Sequence, residues 1–166
     1  TGRKIKGLEE SVIMKRYLSD SKVQCKIEKY IFNEIKKRLF CENLQSNVSL
    51  VISDENDICI CPDFYSQEDR IIGEIHTHLG RLKPAQVHKI EGDILKMLLF
   101  EKCQEKGEYT KMIVVCSVDE YKQLHGRSFL AEAIRRFDIK LEYVSLNEEQ
   151  ISKLEKAMKD QNLIRK

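Results

Sequence analysis

Two histidines separated by one residue are the most chemically informative feature of the sequence. His76 and His78 stand at the end of the apolar run Ile71 to Ile75. Successive side chains of a β-strand alternate between its two faces, so the two imidazoles are expected to point the same way, with Cα atoms roughly 6.6 Å apart. Because a zinc–nitrogen bond is about 2.0 to 2.1 Å long, both rings can reach one cation. The pair therefore predicts a metal site, and the alternative is two strand histidines without a ligand.

The residues around the pair also fit a metal site. From Ile71 the chain reads Ile-Ile-Gly-Glu-Ile-His-Thr-His, and after a short loop it continues as Pro-Ala-Gln-Val-His, ending at His88. This segment resembles the JAMM (MPN-plus) metalloproteases, whose pattern is Gly-x-x-His-x-His-Pro at the end of a strand, a loop, and Ser-x-x-Asp at a helix start. The resemblance covers roughly residues 22–118, and Leu79 stands where the family usually has Pro.

The resemblance implies one zinc ion held by two histidines and a third residue, with water as the fourth ligand. His76 and His78 match the family's histidines. If Pro84 is the proline that often precedes the family's Ser, Ala85 takes the Ser position and His88 takes the Asp position. The implied metal ligands are then His76, His78 and His88. Ligation requires neutral imidazoles, so zinc binding should weaken as the pH falls through about 6.5.

Asp93 is the second candidate for the third ligand. On the helix that begins at Pro84, His88 lies in the first turn, while Asp93 lies on the other flank and about 7.5 Å further along the axis. Only one of the two can face the histidine strand. The first turn adjoins the loop from His78, which favours His88 and leaves Asp93 as the alternative.

The general base of the family is a Glu well upstream of the histidines, near the entry of the first strand. Glu42 is the nearest carboxylate before that strand, and we assign it as the candidate catalytic residue. Other acidic residues lie on the preceding helix, in a turn and on the histidine strand: Glu34, Glu55 and Glu74. A metal-bound imidazole normally donates its other N–H to a carboxylate or carbonyl, and Glu74 or Glu42 could accept that bond.

The implied reaction is metal-assisted hydrolysis of a peptide or isopeptide bond, on proteins or ubiquitin-like conjugates. Zinc lowers the pKa of its water towards about 7 and polarises the carbonyl, while a carboxylate moves the proton to the leaving amine. Ala85 in place of the oxyanion Ser can cost roughly 10² to 10³ in rate. The alternative function is therefore a catalytically degenerate domain that binds a protein or a structural metal. A nuclease or phosphoesterase is a third hypothesis, but the Asp-rich companions of such enzymes are absent.

Hydrophobic periodicity predicts elements in the order α, α, β, β, β, α, β, α, β, α. This order indicates an α/β fold, and the resemblance implies three α/β/α layers around a mixed sheet, as in JAMM domains and with a layering like that of cytidine deaminases. We expect one domain over residues 1–166, with a core of about 22–146, an N-terminal extension helix in 1–20 and a C-terminal helix in 147–166. The predicted core residues are Ile27, Ile31, Ile35, Val51, Ile72, Ile94, Leu98 and Val114.

The individual elements follow from apolar spacing and from turn residues. Helices are predicted over 8–18, 23–39, 84–106, 120–137 with a bend or break at Gly126, and 148–160. Strands are predicted over 48–53, 58–61, the histidine segment, 112–118 and 139–146, with a polar loop over 63–69. Asn147 and Gln150 are three residues apart and predict a capping box at the last helix.

Composition limits the partners. The net charge is +2 and 34% of the residues are charged, with both signs interspersed, so there is no basic face of the kind that binds nucleic acid. No apolar run approaches the roughly 18 residues of a membrane span and the N-terminus has no signal-peptide core, so a soluble cytoplasmic protein is expected. The six cysteines lack Cys-x-x-Cys spacing and are expected to be reduced, although Cys59 and Cys61 could form a second metal site.

Overall fold

A computed structural model of the protein describes residues 21–53, 56–105 and 107–164. The chain divides into two compact units, Ile31–Ser145 and the terminal segments Thr1–Tyr30 with Leu146–Lys166. The predicted helix over 8–18 and the hairpin tip at 54–55, with Glu55, lie outside the described residues. The described residues contain five helices, a mixed five-stranded sheet and a two-stranded sheet. The α/β class is therefore confirmed.

The helices and strands are numbered in chain order. Helix α1 covers the described residues 21–38. It is followed by β1 (Gln45–Ser46), β2 (Leu50–Ser53), β3 (Ile58–Ile60), β4 (Phe64–Ser66), β5 (Ile71–His76), α2 (Pro84–Lys102), β6 (Thr110–Val115), α3 (Val118–Leu124), α4 (Phe129–Arg136), β7 (Lys140–Tyr143) and α5 (Glu148–Ile164). Across the described residues, no helix combines the length and the apolar character that a membrane crossing needs.

The larger sheet brings the ends of two parallel strands to one edge. Its strand order is β1-β4-β5-β6-β7, with antiparallel pairs up to β5 and parallel pairs from β5 to β7. Parallel neighbours need a long crossover, and α2 supplies it between β5 and β6, as α3 and α4 do between β6 and β7. His76 pairs with Val115 at the carboxyl ends of β5 and β6. In open α/β sheets, ligands bind at this edge.

Two strand predictions need correction. The segment 63–69, predicted as a loop, contains β4, which pairs with β5 and buries Phe64 completely. The predicted hairpin is present as β2 and β3, but it forms a separate two-stranded sheet. Val51 on β2 is 53% exposed, so its placement in the core is wrong. A two-stranded sheet has one face open to solvent unless another layer covers it, and that openness explains the error.

Helix α2 packs its apolar stripe on the larger sheet. Pro84 is its first residue, as predicted, because the missing N–H of proline is not needed there. The helix ends at Lys102, four residues before the predicted end. Ile90, Ile94 and Met97 are buried in one cluster with residues of β5 and β6. Apart from Val51 and the half-buried Leu98, the predicted core residues are buried: Ile27, Ile31, Ile35, Ile72, Ile94 and Val114.

Serine and asparagine side chains set the starts of the later helices. The predicted helix over 120–137 is two helices, α3 and α4, and Gly126 lies in the break between them. Ser117 Oγ caps α3 and Ser128 Oγ caps α4, each accepting a hydrogen bond from a backbone N–H of the first turn. At α5, Asn147 and Gln150 exchange side-chain to backbone hydrogen bonds of 2.8 and 2.9 Å. The predicted capping box is therefore confirmed.

Candidate functional site

The candidate site begins where β5 ends. Every residue of β5 is buried, and its last residue, His76, is only 3% exposed. Glu74 and His76 are the two ionisable residues in this otherwise apolar strand. His78 lies beyond the strand, half-buried, in a segment without regular structure. The alternation of strand side chains therefore does not fix the direction of His78, contrary to the prediction.

The His76 imidazole lies between two carboxylates that come from different helices. Its Nε2 is 3.1 Å from Asp93 Oδ2 on α2, and its Nδ1 is 3.6 Å from Glu120 Oε1 on α3. The first distance is that of a hydrogen bond, whereas the second is slightly too long for one. All three side chains are buried. Each ring nitrogen of His76 therefore faces a different carboxyl group.

Asp93 connects His76 to a third charged residue. Its other oxygen, Oδ1, accepts a hydrogen bond from the Lys96 ammonium at 3.1 Å. Burial alone raises the pKa of Asp93, but the hydrogen bond with His76 and the positive charge of Lys96 outweigh burial, so the pKa is lowered. Asp93 is therefore an anion at neutral pH, with one oxygen directed at His76.

Lys96 also reaches the buried carboxyl group of Glu74, at 2.7 Å. Burial raises the pKa of Glu74 to about 8, although Lys96 opposes the rise. Burial lowers the pKa of Lys96, but Glu74 and Asp93 outweigh it and the pKa is raised. Burial decides the direction of the pKa shift of Glu74, whose side chain is only 5% exposed. The neighbouring carboxyl groups decide it for Lys96, whose side chain is 27% exposed.

Glu120 is the most deeply buried ionisable side chain of the site, with no solvent exposure. Among the described residues, neither of its carboxylate oxygens finds a hydrogen-bond partner. Burial raises the pKa of Glu120 to about 8, and the charge of Lys89 reduces the rise. Glu120 was not among the predicted site residues. Its position three residues after Ser117 indicates a capping box, in which the carboxylate would bond back to the serine N–H, and here the side chain turns to His76 instead.

His78 presents a buried nitrogen, Nδ1, that has no hydrogen-bond partner in the described part of the chain. Burial lowers the pKa of His78, and the nearby His76 and Lys83 lower it further, so the ring is neutral at pH 7. The segment that carries His78 is contacted by the two residues that connect β6 to α3. Cys116 Sγ lies 3.5 Å from the His76 carbonyl oxygen and 3.7 Å from that of His78. Ser117 Oγ accepts a hydrogen bond of 3.1 Å from Gly80 N.

The other predicted site residues lie on the surface. Of the two candidates for the third ligand, Asp93 lies against the histidine strand and His88 does not. The His88 side chain is 76% exposed, and its Nδ1 is 2.8 Å from Glu91 Oε2 on the same helix. Glu42 is exposed in the turn after α1. Ala85 is exposed on the first turn of α2, and Cys59 and Cys61 are exposed thiols on and just after β3.

The spacing of Asp93 and His76 fits a shared metal ion. The 3.1 Å between Asp93 Oδ2 and His76 Nε2 is a hydrogen-bond distance, and it is also close to the separation of about 3.3 Å between two ligands of one tetrahedral zinc ion, at about 2.0 to 2.1 Å each. Over residues 21–53, 56–105 and 107–164, no three His, Cys, Asp or Glu side chains converge as a ready metal-binding group. His78 would therefore have to move closer to Asp93 and His76 to complete a set of three.

No protein-family model matches the chain, and neither a search of curated proteins nor a search of solved structures returns a significant match.

Proposed function

We propose that this protein binds one zinc ion through His76, His78 and Asp93, and uses it to hydrolyse peptide or isopeptide bonds in proteins or ubiquitin-like conjugates. The single observation that carries the proposal is the buried contact of 3.1 Å between His76 Nε2 and Asp93 Oδ2, at the end of the His-x-His strand. The resemblance to the JAMM metalloproteases supports it, with Asp93 rather than His88 at the family's Asp position.

The residues of the chain prepare this ligand set in three ways. The lowered pKa of Asp93 keeps its carboxylate ionised, and Lys96 holds one oxygen so that the other faces His76. The lowered pKa of His78 keeps its ring neutral, as a nitrogen ligand must be. When bound, zinc would supply a polarised carbonyl and a water of lowered pKa. Two imidazoles and a carboxylate leave one position of a tetrahedral ion free for water or substrate.

A second candidate function is a metal-binding domain without catalysis. Glu42, the predicted general base, is exposed, and the geometry brings it to none of the proposed ligands. With Asp93 as the ligand, the family's Ser position falls on Ile90, which is fully buried and cannot donate a hydrogen bond. The loss of an oxyanion donor can cost roughly 10² to 10³ in rate. These observations favour slow hydrolysis or none.

Zinc titration tests the shared part of both functions. Competition with a chromophoric chelator measures the affinity of the wild type and of the variants His76→Ala, His78→Ala, Asp93→Ala and His88→Ala. We expect one equivalent of zinc to bind the wild type, and at least a tenfold loss of affinity in the first three variants. His88→Ala is the matched control, because it removes an exposed imidazole from the same helix and should bind like the wild type.

The hydrolysis assay then separates the two functions. The zinc-loaded wild type is incubated with an isopeptide-linked ubiquitin dimer and with a ubiquitin-like precursor that has a C-terminal peptide extension, and Asp93→Ala serves as the inactive control. Cleavage by the wild type alone supports the hydrolase. Zinc binding without cleavage of either substrate supports the non-catalytic domain. Affinity weaker than millimolar, or a loss in His88→Ala equal to that in Asp93→Ala, contradicts the proposed site.

A further inference from the structure

The carboxyl group of Glu120 is buried and makes no hydrogen bond that would stabilise the described part of the fold. Its side chain has no solvent exposure, and within the described residues both oxygens lack a hydrogen-bond partner. The start of α3 is capped by Ser117 Oγ, so the helix does not need the Glu120 carboxylate either. Burying a polar group without a partner costs free energy. An apolar side chain of the same size would serve the core better.

Among the described residues, the one basic side chain in contact with this carboxylate is the imidazole of His76. Glu120 Oε1 lies 3.6 Å from His76 Nδ1, the ring nitrogen that faces away from Asp93. Glu120 and the candidate metal ligand Asp93 therefore lie on opposite sides of the His76 ring, each next to one of its two nitrogens. The contact needs to shorten by only about 0.6 Å to become a hydrogen bond.

We infer that Glu120 is a positioning residue: it accepts the Nδ1–H of His76 and so reserves Nε2 for the metal ion. This inference rests on the proposed zinc site. A neutral imidazole carries one proton, and a metal on Nε2 requires that proton to be on Nδ1. A carboxylate at Nδ1 stabilises this tautomer and fixes the plane of the ring. Without an acceptor there, zinc binding would leave a buried N–H unpaired.

The test compares zinc affinity and the stability of the metal-free protein in Glu120→Gln and Glu120→Leu. Removing the carboxylate behind a metal-bound histidine typically lowers metal affinity 10- to 100-fold. We expect about a tenfold loss in Glu120→Gln, whose amide oxygen can still accept the bond, and about a 100-fold loss in Glu120→Leu. Measured with chelator present, Glu120→Leu should unfold at higher urea concentration than the wild type, because it removes a buried unpaired carboxyl group. Glu120→Gln leaves a buried amide in the same place and should unfold close to the wild-type midpoint.

Glu91→Gln is the matched control. Glu91 also contacts a histidine, His88, at 2.8 Å, but this histidine is exposed and the Glu91 side chain is only half-buried. It should bind zinc like the wild type and keep the same urea midpoint. Weaker zinc binding in both Glu120 variants, together with greater metal-free stability in Glu120→Leu, supports a positioning role. A fall in metal-free stability in both variants would show that Glu120 is structural, and overturn the inference.

The outcomes also separate this inference from the proposed function. If the wild type binds zinc and the Glu120 variants bind it equally well, the positioning role is overturned and the zinc site remains. If the wild type does not bind zinc, the proposed function fails and the inference fails with it. A cobalt(II)-substituted sample gives a second readout, since its visible absorption bands depend on ligand geometry. They should shift in Glu120→Leu and stay unchanged in Glu91→Gln.

Discussion

Lys96 controls the charge balance of the site, because its ammonium contacts the carboxylates of Asp93 and Glu74 at the same time. In Lys96→Met the aliphatic stem remains, but the two buried carboxyl groups lose their common cation. Removing one partner of a buried ion pair is strongly destabilising, since it leaves uncompensated charge. At pH 7 that charge is the one on Asp93, because the pKa of Glu74 is raised to about 8. We expect the free energy of unfolding of the metal-free protein to fall by about 2–3 kcal/mol, measured by urea denaturation at pH 7.

Lys37→Met is the control for this substitution. Lys37 forms an ion pair with Glu34 on α1, and its side chain is 73% exposed. Exposed pairs contribute about 0.2–1 kcal/mol, so this variant should change the free energy of unfolding by less than about 1 kcal/mol. Equal effects of the two substitutions would show that burial of the Lys96 cluster adds nothing to its stability.

Asp93, and not His88, lies against β5, and this placement could have been predicted from the helical pattern. Asp93 stands three residues after Ile90 and four before Met97, so it lies on the same face as the apolar stripe that packs on the sheet. His88 stands two residues before Ile90, about 200° away. The position along the helix favoured His88, but the face of the helix decides which side chain meets β5. A polar residue within a buried stripe was the informative signal.

At the scale of elements, Gly73 on β5 permits the close approach of β4. The two strands pair with Gly73 opposite Phe64, and a methyl group on Gly73 would overlap the Phe64 ring. Phe64 is fully buried and cannot move without disturbing its neighbours. Overpacking of a core typically costs 1–3 kcal/mol, and we expect Gly73→Ala to lower the free energy of unfolding by about 2–3 kcal/mol in urea denaturation.

Gly92 on α2 provides the opposite case. It is exposed, and a methyl group there meets nothing within 4 Å. Alanine is a better helix former than glycine, so Gly92→Ala should raise the free energy of unfolding by about 0.5–1 kcal/mol. A Gly73→Ala variant that is as stable as the wild type, or more stable, would contradict the overlap with Phe64.

Element prediction succeeded where the signal is local. The start of α2, the break at Gly126 and the capping box of α5 depend on neighbouring residues, and the structure has all three. Strand β4 was missed because only Phe64 and Tyr65 interrupt a polar segment, and its pairing with β5 is a tertiary contact. The end of β5 was placed too late, because alternation in sequence does not show where pairing stops.

At the scale of the whole molecule, the candidate site draws on three separate segments of the chain. His76 and His78 were recognisable because they are close in sequence, and Asp93 was recognised as an alternative. Glu120 lies 44 residues after His76 and reaches it only because β5 and β6 are parallel and end at the same edge. No local pattern contains that information. The topology of the sheet, rather than a motif, brings the second carboxylate to His76.

Two buried carboxyl groups make the stability of the whole protein depend on pH. Burial raises the pKa values of Glu74 and Glu120 from 4.5 to about 8 in the folded state. Between these values the folded state binds more protons than the unfolded state, so stability falls as the pH rises through this window. Asp93 and His78 have the opposite sign, because their pKa values are lowered from 3.8 and from 6.5. The contribution of Asp93 is lost only in acid, and that of His78 opposes the two glutamates near pH 6.

We therefore expect the metal-free protein to be less stable at pH 8.5 than at pH 6, by an amount on the order of 2 kcal/mol. Urea denaturation at the two pH values, with a chelator present, measures the difference. Glu120→Gln should remove part of it, because an amide does not titrate, whereas Glu91→Gln, at a half-buried position of α2, should leave it unchanged. A buried carboxylate loses its hydration, so ionising Glu74 and Glu120 above about pH 8 destabilises the folded state. Stability that stays constant or increases from pH 6 to pH 8.5 in the wild type would contradict the raised pKa values.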